Sequence, residues 1–164
     1  MTPYIILGFL LLLPIALGLF FRVSASALFF SVMAGDLIGR YFHHEAEAIG
    51  RSTFKSNTAA DYAEALLILL PIFLTALFMH GSISRGKTFL HILPLAITGL
   101  VLAAFVLPIL PYELQQEVMS IPLGKQLLDT HNMIIGVIVF LQLISLWLLN
   151  KAPGEPSHRK KHKK

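Results

Sequence analysis

Residues 24–44 read SASALFFSVMAGDLIGRYFHH. The run is apolar enough to enter a membrane, yet it carries Asp36 and Arg40 four residues apart. On a helix that spacing places both side chains on one face, within reach of each other. A lone charge in hydrocarbon costs somewhere between about 2.5 and 17 kcal/mol, so charges at such depth pair and turn toward other protein. Ser24, Ala27, Ser31, Gly35 and Gly39 recur at intervals of three or four and form one stripe, with Gly35 and Gly39 a G-x-x-x-G pair. Small residues let helix backbones approach closely. The stretch therefore predicts a membrane-crossing helix over 24–43, its small and polar face turned inward. Ser24 is a suitable amino-terminal cap.

Composition agrees. Of the 164 residues, 55% are hydrophobic and only 13% charged, with mean hydropathy +0.73. Soluble domains hold about 25% charged residues, so a chain this poor in charge cannot cover a water-facing surface and takes lipid as its main solvent. There are no cysteines, which excludes disulfides, thiolate metal sites and cysteine nucleophiles. The net charge of +4 arises mostly in the last fourteen residues.

Working outward, residues 4–21 form a first apolar run, about long enough for ~30 Å of hydrocarbon. Ala25-Ser26-Ala27 resembles a signal-peptide cleavage site, but no positive amino-terminal region precedes the run, and the run is too long for a signal core. A retained helix bent at Pro14 is expected. Arg22 marks a tight turn into residues 24–43. Residues 44–58 are polar, and Thr58-x-x-Asp61 fits a capping box. Further runs cover 59–79, 88–110 and 132–149. Residues 112–131 are too polar to cross; Leu114, Val118 and Ile121 share one helical face, as do Leu123, Leu127 and Leu128, which reads as two amphipathic pieces hinged at Pro122, lying on the membrane surface or dipping slightly in. The expected fold is all-α: a polytopic helical membrane bundle of about five transmembrane helices (domain 1–150) with an interfacial segment and a disordered basic tail over 151–164.

Basic residues near span ends set orientation. Arg22, the Arg85/Lys87 turn and the Lys-rich tail fall on one side only if there are five spans. The amino terminus is then outside, the carboxyl terminus cytoplasmic, and the location a plasma membrane.

The intramembrane polar candidates are Asp36, Arg40, His43 and Gln142; the helix-packing candidates are Ser31, Gly35 and Gly39. The Asp36–Arg40 pair fits an ion or proton site, or a structural pair fixing helix register. His43 and Glu47 have i, i+4 metal-ligand spacing, though a solvated headgroup-level cluster explains them as well, and no metal is assigned. A b-type haem needs histidines on two helices at matched depth; His43, His80, His91 and His131 all lie near span ends, so no cofactor is assigned. Lys160, Lys161, Lys163 and Lys164 suit anionic lipid headgroups. They lack aromatic interleaving, so no nucleic-acid partner is expected. The bilayer, and a homo-oligomer or membrane-protein partner meeting the small-residue stripe, are the expected partners. No Ser-His-Asp order, H-E-x-x-H, Walker loop or G-x-S-x-G occurs, and no enzyme is expected.

The run Leu-Gly-Leu-Phe-Phe-Arg ending at Arg22, the segment Ala34-Gly-Asp-Leu-Ile-Gly39 and the Arg85-Gly-Lys87 turn resemble the colicin V production (CvpA) family of small bacterial membrane proteins. The likeness covers the first two thirds of the chain and is one of pattern; the acidic residue usual at the start of that family's first helix is absent. It implies a membrane protein linked to export or envelope processes, without defined chemistry. A non-enzymatic membrane component is the favoured reading, a channel or proton-coupled transporter using Asp36 and Arg40 the alternative, and a haem redox protein the third.

Overall fold

A computed structural model describes residues 2–42, 44, 45, 48, 57–83, 91–129 and 131–151. All regular structure among the described residues is helical. The elements are α1 (Thr2–Phe20), α2 (Ala25–Tyr41), α3 (Asn57–Phe78), α4 (Ile92–Val106), a 3-10 turn (Leu107–Ile109), α5 (Tyr112–Met119), α6 (Pro122–Asp129) and α7 (His131–Lys151). Among the described residues three segments are long and apolar enough to cross a membrane: Pro3–Phe20, Asp61–Phe78 and Ile92–Ile109, with Ile135–Leu148 a shorter apolar stretch. The 17 residues of α2, holding Asp36 and Arg40, lie below that length.

Prolines punctuate the helices according to position. Pro14 and Pro71 sit inside the continuous helices α1 and α3. Pro94 falls in the first turn of α4, where its missing N–H would have had no intrahelical partner. The described helix starts at Ile92, inside the run expected to begin at 88; residues 84–90 are outside the described set. Pro108 falls where the chain tightens into the 3-10 turn, and the Gln115 amide donates to the carbonyls of Pro108 and Leu110 at 2.8 and 2.7 Å, satisfying acceptors freed at the end of α4.

Helix α4 is the hub, packing on α1, α2 and α7. Its sequence is apolar all round and carries Gly99, Ala103 and Ala104, as a helix surrounded by others requires. At Gly99 an added Cβ would run into the Leu11 backbone, and at Gly18 it would meet the Leu95 side chain. Those pairs, 11 with 99 and 18 with 95, show that α1 and α4 run antiparallel. Gly35 faces the backbone of Ile68 and Gly39 its side chain, so the stripe read from residues 24–44 seats α2 against α3. The stripe is therefore filled within one chain.

One end of the bundle is closed by two interlocked turns. After α1, the Val23 N–H donates to the Gly18 carbonyl at 3.2 Å across Arg22, whose φ of 52° is left-handed. This is a Schellman-type termination with arginine where glycine is usual. The Gly81 N–H (φ 78°) donates to the Phe21 carbonyl at 2.8 Å, and the Ile83 N–H donates to the Arg22 carbonyl at 3.0 Å. The Ser24 N–H reaches the Ser82 hydroxyl oxygen at 3.2 Å, and the Ser24 hydroxyl oxygen accepts from the Ala27 N–H at 3.3 Å as the cap of α2. Val23 and Ile83 are buried in this clasp.

The opposite end carries α5 and α6. Val118, Ile121 and Leu127 join the main apolar core, and α5 packs on α1. The apolar side of this segment therefore faces the bundle. Leu123, expected on the same face as Leu127, is exposed; Gly124 packs against the Val118 carbonyl and fixes the angle between the two pieces, turning Leu123 out. Tyr4, Tyr41, Tyr62 and Tyr112 begin or end helices at this end, and all four are exposed.

Candidate functional site

The Asp36–Arg40 pair forms as an ion pair within α2, Arg40 Nε to Asp36 Oδ2 at 2.9 Å. The two ends differ in burial: the Asp36 side chain is 13% exposed and that of Arg40 65%. An inward-looking pair would bury both. The difference follows from helix geometry, since four residues advance the helix by about 400°, roughly 40° past a full turn. Gly35 and Gly39 occupy the seam with α3, Asp36 lies on its flank, and the extra rotation carries Arg40 outward beside exposed Leu37 and Tyr41. The pair sits at the tyrosine end, and the long arginine side chain reaches the surface there.

Helix α3 adds Asp61 and Glu64 at the same end, both partly buried. Glu64 precedes Ile68 by one turn, and Ile68 is the residue that Gly35 and Gly39 face. The register thus brings Glu64 toward the last turn of α2. Sequence reading passed over Glu64 because it lies near the start of its helix, where an acidic residue is unremarkable.

Gln142 lies in a second polar position, fully buried. Its amide Nε2 donates to the Thr98 hydroxyl oxygen at 3.1 Å, and the Thr98 hydroxyl donates to the Pro94 carbonyl at 2.8 Å. Its Oε1 is buried with no hydrogen-bond partner. Thr98 was not anticipated. The available signal was that it is the single hydroxyl or amide side chain within 92–110, as Gln142 is the single amide within 133–149; two isolated polar residues in separate apolar helices are natural partners. The Ser31 hydroxyl donates to the Leu28 carbonyl of its own helix at 2.7 Å, and Ser31 is buried at the α2 seam.

The remaining candidates group otherwise. His80 and Phe21 meet edge to face in the clasp, centroids 6.0 Å apart, and His91 stands at the position before α4 without a side-chain capping bond, its Nδ1 buried with no hydrogen-bond partner. His43, Glu47, Lys160, Lys161, Lys163 and Lys164 lie outside the described residues, as do Arg85 and Lys87, and the side chains of Thr58 and His131 are likewise outside that set. Among the described residues no three His, Cys, Asp or Glu side chains converge in the manner of a metal site.

In chemical terms, three of the polar side chains described within the helices meet partners of their own chain: Asp36 with Arg40, Ser31 with the Leu28 carbonyl, and Gln142 through its Nε2 with Thr98, while Gln142 Oε1 has none. The chain matches no known family model, curated protein or solved structure.

Proposed function

We propose that this chain is a non-enzymatic integral membrane component that crosses the bilayer five times, through α1, α2, α3, α4 and α7, and supports export or envelope assembly. The observation that carries this reading is that the helices' described polar side chains are engaged within the chain: Asp36 with Arg40 and Ser31 with Leu28 inside α2, and Gln142 with Thr98 between α7 and α4. A transport pathway needs polar groups facing a wet cavity. The class of process comes from the likeness of the layout to the colicin V production proteins.

Two further features support the threading. Large apolar side chains such as Ile5, Phe9, Leu66, Phe73, Phe140 and Trp147 are exposed along α1, α3 and α7; soluble monomers rarely show contiguous apolar surface on this scale. The four exposed tyrosines gather at one end, as aromatic side chains do at headgroup level, while Arg22 and the 80–83 turn share the other. In this reading the clasp end is cytoplasmic, with the basic tail, and the tyrosine end is outside.

Reconstitution tests the reading. Proteoliposomes holding the parent chain are expected to pass protons no faster than protein-free vesicles, with Asp36→Asn indistinguishable from the parent; a flux that Asp36→Asn abolishes would replace the proposal with a proton-coupled transporter. Because the chain lacks cysteine, single cysteines placed at Gly81 and Gln116 report the threading directly. They are expected to react with impermeant reagent from opposite faces.

A further inference from the structure

At the tyrosine end, α1 and α3 part to leave a crevice of about 370 Å³. Ile6 and Leu10 form one wall, Ala65 and Leu69 the other, and Val106 and Leu110 of the α4 end form the floor. Tyr62 stands at the mouth. The exposed lining is entirely apolar.

Such a space has few possible contents. An ordered water requires two to four polar partners, and the lining offers none. Left empty, the lining would lose the dispersion contacts that close packing supplies. Both walls belong to helices long and apolar enough to cross a membrane, and Ile5, Phe9 and Leu66, which also line the crevice, are exposed on the surface of those helices. The opening is thus continuous with surface that meets hydrocarbon if the chain is membrane-embedded. From Tyr62 to Leu69 the crevice follows α3 for roughly 10 Å at ~1.5 Å per residue, in the direction acyl chains take in a leaflet. A methylene group occupies no more than a liquid water, roughly 30 Å³, so the space takes on the order of a dozen of them.

We propose that this crevice is a lipid site that holds one acyl chain of a phospholipid drawn from the leaflet at the tyrosine end, with Tyr62 at the level of the glycerol esters. The proposal rests on the membrane placement given above and goes beyond it, because ordinary boundary lipid exchanges freely, whereas a chain lodged between α1 and α3 stays with the protein.

The full-length parent, Ala65→Phe (which fills the crevice) and Phe140→Ala (an exposed position on α7) are purified in mild detergent, washed, and assayed for lipid phosphorus per chain. One phospholipid per chain is expected with the parent and Phe140→Ala, and its loss with Ala65→Phe. Equal phosphorus in all three, including none, overturns the proposal. So does a parent that runs as a dimer and is split by Ala65→Phe, since a second copy would then fill the space. A second measurement stands if Ala65→Phe fails to fold. The chain has a single tryptophan, so Leu110→Trp and Phe9→Trp, each combined with Trp147→Phe, place one reporter at the floor or at the exposed rim. In vesicles of phosphatidylcholine with brominated chains, quenching at both positions is expected. Quenching at the rim alone overturns the acyl-chain site, and quenching at neither removes the membrane placement and the site with it.

Discussion

Replacing Gly35 with alanine tests the seam between α2 and α3 most directly. A Cβ on Gly35 would lie 3.1 Å from both the Cα and the carbonyl carbon of Ile68, and closer still to its carbonyl oxygen. Carbon atoms pack at about 3.5–4.0 Å, so the helices must separate by roughly half an ångström or more. The obstacle is backbone, which cannot swing aside as a side-chain tip can. Overpacking a tight contact costs about 1–3 kcal/mol, and exchanging a helical glycine for alanine returns about 0.5–1 kcal/mol, leaving a net loss of about 1–2 kcal/mol. Gly8 and Gly136 are the internal controls, since a Cβ at either meets nothing within 4 Å; alanine there brings only the propensity gain. The expected gap between Gly35→Ala and Gly8→Ala is about 2 kcal/mol, close to thirtyfold in the unfolding equilibrium at ~1.4 kcal/mol per decade. Reversible unfolding in mixed dodecyl sulfate micelles, followed by circular dichroism, measures it. If Gly35→Ala unfolds at the same denaturant fraction as Gly8→Ala, the close approach of α2 and α3 is wrong.

Thr98→Val should cost more than Gln142→Leu in the same assay: the first leaves a buried amide with neither group bonded, about 1–2 kcal/mol, while the second also removes an unpartnered carbonyl and should be near neutral. Arg22→Gly should stabilise by up to about 1 kcal/mol, because glycine takes a left-handed φ without the Cβ penalty; an unchanged or lower transition would mean that the arginine side chain itself supports the clasp. Arg40→Gln should destabilise by no more than about 1 kcal/mol, given how exposed Arg40 is, and combining it with Asp36→Asn should recover most of that loss in a double-mutant cycle. Hydrogen exchange should find α7 opening before α4, since Gly136 makes no close approach and the Gln142–Thr98 bond is the polar tie between the two.

How much of this could be read in advance depends on the range of the signal. Apolar length marked the helical runs, Ser24 the start of α2, and Pro122 the break between α5 and α6, because each is a local matter of burial, capping or backbone sterics. The partner of the Gly35 stripe was not local: the stripe shows that some backbone comes close, and only the fold identifies it as that of Ile68. The same limit hid Thr98, which has no spacing relation to Gln142 forty-four positions away. Amphipathicity of residues 112–131 was legible, but a helical wheel cannot distinguish a membrane surface from the protein's own core, and Val118, Ile121 and Leu127 join the core. Arg22 was read for its charge, while its backbone geometry is what shapes the turn.

The seams also show which polar feature stands apart. In lipid, burial of apolar surface does not drive helices together, so association relies on close packing or on hydrogen bonds. Helices α1 and α4 meet through Gly18 and Gly99, α2 and α3 through Gly35 and Gly39, and α4 and α7 through Thr98 and Gln142. The Asp36–Arg40 pair belongs to none of these contacts: both residues are on α2, and Arg40 points away from the seam. No helix–helix contact described here therefore requires the carboxylate to be charged. If Asp36→Asn leaves stability intact yet changes what the membrane lets through, the charge serves permeation. If it changes neither, the pair is a way of tolerating an acid near the edge of the bilayer, and the structural reading of the chain gains its firmest support.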